Sequence, residues 1–216
     1  MKVALLKAKV ADEIRDRIVV GALSLGQRVS DKDLACELRI SRTPVREALL
    51  QLQAEGLVVM RHRSGTFVFD LSPEELKDIC DLRGVFETAA VRMGAVIHPE
   101  RMVSGLATRI AEAAAAFESE DFALCEQLDT AFHETLIELS GNKYLIESYR
   151  TISDKVRALR SRLPQTRERI SNAITQHRRI VDLIALGRSQ AATDEINTHV
   201  RNVHHLLLAS VRQEAA

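Results

Sequence analysis

Tryptophan is absent from this 216-residue chain, aromatic residues make up only 4% of it, and there are just three cysteines, four prolines and nine glycines. An excess of charge of one sign is also lacking, because 30 Lys+Arg balance 30 Asp+Glu. No stretch reaches the roughly 18 uncharged apolar residues that a membrane-crossing helix requires. At the start, MKVALLKAKVADEIRDRI, the charges of Lys7, Lys9, Asp12 and Glu13 interrupt the apolar run before a signal-peptide core can form. Neither a membrane span nor an export signal is expected. Cys36, Cys80 and Cys125 are odd in number, include no C-x-x-C pair and each fall within a helical pattern. That usage fits buried thiols in a reducing compartment, so the expected location is cytoplasmic. What the chain does have is apolar material, 46% of its residues against 28% charged. This composition excludes a disordered chain and supplies the cores of one or two domains, at roughly 100 to 200 residues each.

A net charge of zero argues against nucleic acid as a partner until the chain is divided. Residues 1–70 carry 12 Lys+Arg against 9 Asp+Glu, a surplus of three positive charges, and residues 71–216 carry 18 against 21, a surplus of three negative ones. The pattern changes at the same place. Before Leu71, short helical runs accompany a small β-like pair; after it, everything has helical periodicity. Two domains are expected, 1–70 and 71–216. Ser72-Pro73-Glu74-Glu75 reads as an N-cap, a Pro at the first helical position and a Glu closing a capping box. Leu76, Ile79, Cys80, Phe86, Ala90 and Met93 hold the helical period until His98-Pro99 ends it near Ile97. Breaks at Ser119-Glu120-Asp121, Ser140-Gly141-Asn142, Leu163-Pro164 and Gly187-Arg188-Ser189 separate further runs of the same kind. Six helices with short connections predict an all-α antiparallel bundle. The alanine-rich stretch Ala111 to Ala116 predicts close helix packing inside it.

In the first domain, residues 8–20 form an amphipathic helix through Val10, Ile14, Ile18 and Val19, followed by a loop with Gly21 and Gly26. Two short helices come next, over residues 31–38 and 41–52, with Ser41 or Thr43 as the cap of the second and Pro44 in its first turn. Their separation is that of a helix-turn-helix. It places Arg42, Thr43 and Arg46 at the N-terminal end of the second helix, where a recognition helix meets base edges and phosphates, and turns Val45, Ala48, Leu49 and Leu52 to the core. Leu57-Val58-Val59-Met60 and Thr66-Phe67-Val68-Phe69 flank Arg61-His62-Arg63-Ser64-Gly65 as a β-hairpin, whose basic tip suits the phosphate backbone or the minor groove. The whole reads as a winged helix-turn-helix. A basic helix alone is more often a solvated face held by ion pairs; the constellation, not any single arginine, argues for DNA.

The run Ser41-Arg42-Thr43-Pro44-Val45-Arg46-Glu47-Ala48-Leu49, followed by Glu55-Gly56-Leu57-Val58 and Gly65, resembles the GntR family of bacterial regulators over about residues 8–69. The resemblance implies double-stranded DNA as partner, with Lys32, Ser41, Arg42, Thr43, Arg46 and His62 at the interface. Two departures stand out. Arg39 occupies the turn where the family usually has Gly, and the wing lacks the Pro often found near its start.

In the second domain, Asp129 and His133 are spaced i, i+4 on a helix whose apolar side runs through Phe122, Cys125, Phe132 and Leu136. His177 lies on the stripe Ile170, Ile174, Val181 and Ile184, and His199 lies between Ile196 and Val203. Three helices thus aim four metal-capable groups inward. Any one such histidine is more often a hydrogen-bonded core residue, but burying the set without partners costs several kcal/mol, on the order of what isolated polar groups pay. A divalent metal binds them together, with Zn²⁺, Ni²⁺, Mn²⁺ and Fe²⁺ all suited to the ligands. Arg83 shares a stripe with Ile79 and Phe86 and, facing inward, needs an anion. That anion is either a structural carboxylate such as Asp129 or Glu87, or the carboxylate of a bound metabolite.

Asp129-Thr130-Ala131-Phe132-His133, Gln176-His177-Arg178-Arg179-Ile180 and His199 resemble the metal-binding subset of the FadR-like effector domain, the FCD domain, over about residues 72–212. Six helices point to its shorter, VanR-like variant. The resemblance implies a metal held by Asp129, His133, His177 and His199, a small carboxylate completing the coordination, and an association of Arg83 with that effector. The expected protein is therefore a homodimeric transcription regulator, a repressor rather than an enzyme, that binds a roughly palindromic operator and senses a small organic acid. Two alternatives stand beside it: a regulator that senses the metal itself, and a metal-dependent hydrolase fused to a DNA-binding domain. The second lacks a further carboxylate aimed at the metal face, because Glu134 and Glu138 lie off the line of Asp129 and His133.

Overall fold

Apolar residues at helical spacing over Val10, Ile14 and Ile18 build the first helix, α1 (Lys2–Val19). The computed structural model describes the backbone of residues 2–214 and the side chains of residues 6–210. The chain divides into two units, Met1–Ser72 with Arg157–Ser161, and Pro73–Val156 with Arg162–Ala216. In the first unit, α1 begins several residues before the expected start at residue 8, because Lys, Ala and Leu are strong helix formers and extend it upstream. Arg15 reaches from α1 to Glu55 at 2.8 and 3.0 Å.

The helix α2 (Asp31–Glu37) starts at Ser30, whose hydroxyl accepts the Asp33 N–H. It ends at Leu38, and the chain turns through Arg39 at φ 54° before entering α3 (Arg42–Ala54). Of the two caps considered, Ser41 rather than Thr43 occupies the N-cap position of α3, and it makes no side-chain cap bond. Val45, Ala48, Leu49 and Leu52 are all buried, as the helical spacing requires. Three short strands follow the order β1-β3-β2, all antiparallel: β1 (Arg28–Val29), β2 (Val58–Arg61) and β3 (Gly65–Val68). The register pairs Val59 with Phe67 and Arg61 with Gly65. The β2–β3 hairpin is the expected wing, and β1 is an addition: two residues are too few to show an alternating pattern. The Arg61 guanidinium lies over the Phe67 ring at 4.8 Å and so stiffens the hairpin beside its tip.

The second unit is built from α4 (Pro73–Ile97), α5 (Pro99–Glu118), α6 (Phe122–Glu138), α7 (Lys143–Arg160, whose last four residues count with the first unit), α8 (Arg167–Ala185) and α9 (Ser189–Glu214). These are the six expected helices, and the two units together give the mainly α fold read from the sequence. The breaks act as caps. Asp121 accepts the Leu124 N–H at the start of α6, Asn142 accepts the N–H groups of Tyr144 and Leu145 at α7, and Thr166 accepts the Arg169 N–H at α8. The helix α4 packs on α6 and α9, α5 packs on α6 and α8, and α8 packs on α9, so α6 and α8 are held between neighbours. Of the alanine-rich stretch in α5, Ala113 and Ala116 are buried while Ala111 and Ala115 face solvent. Close packing is more evident at Gly94 in α4, where an added Cβ would lie 2.6 Å from the Leu139 carbonyl oxygen and 3.0 Å from the Met102 sulfur. Among the described residues, no helix is long and apolar enough to cross a membrane.

Candidate functional site

The first unit gathers its basic residues where α3 begins. Ser41, Arg42, Thr43 and Arg46 are exposed at the N-terminal end of α3, Lys32 is exposed on α2, and His62 is exposed in the wing turn. The structure thus places all six residues expected to meet DNA at the surface. Arg42 Nη2 donates to both Asp31 oxygens at 3.0 Å, and Arg46 Nε lies 3.7 Å from Asp31 Oδ2. Both arginine side chains remain mostly exposed, at 60% and 72%. Exposed pairs of this kind are worth about 0 to 1 kcal/mol, so Asp31 orients the two cations without withholding them from a phosphate or a base. Arg28 and Asp31, which the sequence reading passed over, line with Arg42 and Arg46 a groove of about 410 Å³ that opens beside the wing. A two-residue strand offers no periodic signal for Arg28. Asp31 carries a legible one, an acidic residue in the first turn of α2.

The second unit brings three histidines together from three helices. His133 on α6, His177 on α8 and His199 on α9 are all buried, and one ring nitrogen of each lies within 4.8 Å of the other two. The tautomer of His199 follows from its partner. Gln176 Oε1 is 3.0 Å from His199 Nδ1 and is an acceptor, so Nδ1 carries the proton and Nε2 presents a lone pair. That Nε2 is buried and has no hydrogen-bond partner. Burial, with His177 and His133 alongside, holds the His199 imidazole well below its ordinary titration range, and burial likewise pushes His133 down. A neutral imidazole presenting a lone pair, as His199 does, is the form that binds a metal. The residues present therefore fit a divalent transition metal, by donor type and by the orphaned His199 nitrogen. Asp129 sits outside the close triad, part-buried, with Oδ1 3.5 Å from His177 Nε2.

Arg83 lies on the other side of His133 and is almost fully buried. Its Nε donates to Glu87 Oε1 at 2.6 Å and its Nη2 to His133 Nε2 at 2.9 Å, while Glu87 Oε2 stands 3.1 Å from His133 Nδ1. Of the two anions considered for Arg83, the structure supplies the structural carboxylate Glu87. Burial would push the Glu87 carboxyl up, but the guanidinium and the imidazole hold it well below the usual carboxylate range. The signal for this pair was available, since Arg83 and Glu87 are i, i+4 on one helix. A third feature adjoins the triad: a cavity of about 470 Å³ whose walls include Asp129, Arg169, Asn172, Gln176, His199 and Asn202. Arg83 is not among its lining residues. The cation there is Arg169, whose Nε donates to the Pro164 carbonyl at 2.6 Å and whose Nη2 pairs with Glu126.

Residues 6–68 match the family model described as bacterial regulatory proteins, gntR family, and residues 78–202 match that of the FCD domain. The Nta operon transcriptional regulator of Aminobacter aminovorans is 31% identical over 87% of this chain and 87% of its own. The gluconate operon transcriptional repressor of Bacillus licheniformis is 26% identical over 78% of this chain and 71% of its own. Among solved structures, a GntR transcriptional regulator from Rhodococcus sp. RHA1 superposes with a TM-score of 0.79 at 25% identity, covering 94% of this chain and 97% of the other.

Proposed function

The chain belongs to the gntR family of bacterial regulatory proteins and carries an FCD domain, which makes it a DNA-binding transcriptional regulator; on that premise we propose that its operator affinity is set by a carboxylate bound beside a metal in the second unit. The observation that carries this reading is the buried, unpartnered Nε2 of His199, a residue clustered with the imidazoles of His133 and His177 and lining a cavity of about 470 Å³. The metal set is His133, His177 and His199 with Asp129 as the fourth ligand. A metal bound there supplies a Lewis-acidic site that takes up a carboxylate oxygen. Around it the chain offers neutral amides, Asn172, Gln176 and Asn202, and the cation Arg169. Amides donate to and accept from hydroxyl groups, so the ligand class that fits best is a hydroxylated carboxylate. The sign is repression, as in the gluconate operon repressor it resembles.

The regulator acts as a homodimer on a palindromic operator whose half-sites lie about one helical turn apart. Support comes from α4, where Leu82, Val85 and Val96 are exposed on one stripe that fits a second copy of the chain. The test of the ligand reading is a thermal-shift screen of the protein against hydroxylated and plain carboxylates, run with bound Zn²⁺ and again after chelation. A ligand at 100 times its Kd adds about 2.7 kcal/mol to stability. A shift seen with hydroxylated acids only while metal is present supports the proposal; a shift that survives chelation, or none with any acid, overturns it.

A further inference from the structure

The Nε2 lone pair of His133 is already taken. A guanidinium has donors and no acceptor, so the 2.9 Å contact between Arg83 Nη2 and His133 Nε2 requires that nitrogen to be unprotonated and to accept. The other nitrogen, Nδ1, faces Glu87 Oε2 at 3.1 Å. The imidazole is thus held between a carboxylate on one side and a cation on the other, with all three groups buried. A metal ligated by His133 through Nε2 needs the same lone pair that Arg83 uses.

We infer that Arg83 is a resident cation that competes with the metal for His133 Nε2, and that Glu87 keeps both the arginine and the imidazole in place. In the metal-free protein the Arg83 guanidinium compensates Glu87 and covers the imidazole. In the loaded protein it keeps Glu87 and gives up His133, since one lone pair cannot serve two partners and two cations repel. This inference rests on the proposed metal reading and goes beyond it, because it gives Arg83 a role against the metal rather than toward a ligand.

The sign of one change decides the matter. Zn²⁺ affinity is measured by competition with a chromophoric chelator for the full chain and for Arg83→Met, with circular dichroism as the check on folding. A merely structural arginine, once removed, leaves the site looser and the affinity unchanged or weaker. A competitor, once removed, leaves Zn²⁺ bound tighter by about tenfold to a hundredfold, the size of one charge-assisted hydrogen bond. If Arg83→Met does not fold with Glu87 unpaired, Glu87→Gln is compared with Arg83→Met/Glu87→Gln, where no buried carboxylate is stranded, and the same tightening is expected. Wild-type protein that binds Zn²⁺ and a variant that binds it no tighter overturn the inference alone. No Zn²⁺ binding by either protein overturns the metal reading and this inference with it.

Discussion

Arg39 adopts φ 54°, where a side chain brings its Cβ close to the carbonyl oxygen. The position turns the chain between α2 and α3, and a glycine there meets no such conflict. Arg39→Gly is therefore expected to stabilise the protein by about 0.5 to 1 kcal/mol, the left-handed strain removed exceeding the entropy glycine adds to the unfolded chain. Urea unfolding checks it, and a lower midpoint for the variant would show that Arg39 makes a contact worth more than its strain. Gly94 presents the opposite case, since its backbone is ordinary but its surroundings are full. An added methyl group meets the Leu139 carbonyl oxygen, which belongs to backbone and does not swing aside. Gly94→Ala is expected to cost about 1 to 3 kcal/mol, as overpacked cores do, and a midpoint within error of the parent would mean that α4 shifts freely. Only the first of these was legible beforehand. The Arg39 turn is a local feature of the helix-turn-helix, whereas Gly94 depends on where α6 ends in space.

The elements that carry the residues expected to meet DNA were legible because each has its own period. The helical spacing of Val45, Ala48, Leu49 and Leu52 fixes which side of α3 is buried, and so fixes that Arg42 and Arg46 are exposed. The wing showed itself as two apolar runs around a polar tip. Lost from view were β1, too short for a pattern, and the Asp31 contacts, which join α2 to α3 across the turn. Similarly, His133, His177 and His199 each stood on an apolar stripe and were legible one by one. Gln176 as the partner of His199 was not, because that contact spans two helices. For α3 the expected outcome is direct. Arg46→Ala should weaken operator binding by about 1 to 3 kcal/mol if the side chain reads a base, or reduce the salt slope by about 1 if it holds a phosphate. Fluorescence anisotropy over a salt series separates the two, and an unchanged affinity and slope would remove Arg46 from the interface.

At the scale of the whole molecule the claim is a coupling between two sites on different units of one chain. A ligand shifts an equilibrium only by its differential affinity for the two states, so tight carboxylate binding alone would control nothing. If the carboxylate weakens operator binding by some factor, the operator must weaken carboxylate binding by the same factor, commonly about 5- to 150-fold. Calorimetric titration of the carboxylate into the metal-loaded protein, with and without saturating operator duplex, measures one side of this cycle, and anisotropy with and without the carboxylate measures the other. Equal factors support the regulator proposed above. Carboxylate affinity that ignores the operator would leave the fold, the DNA surface and the histidine triad as described, yet would detach the cavity from transcriptional control and turn the search for the controlling signal to the metal itself.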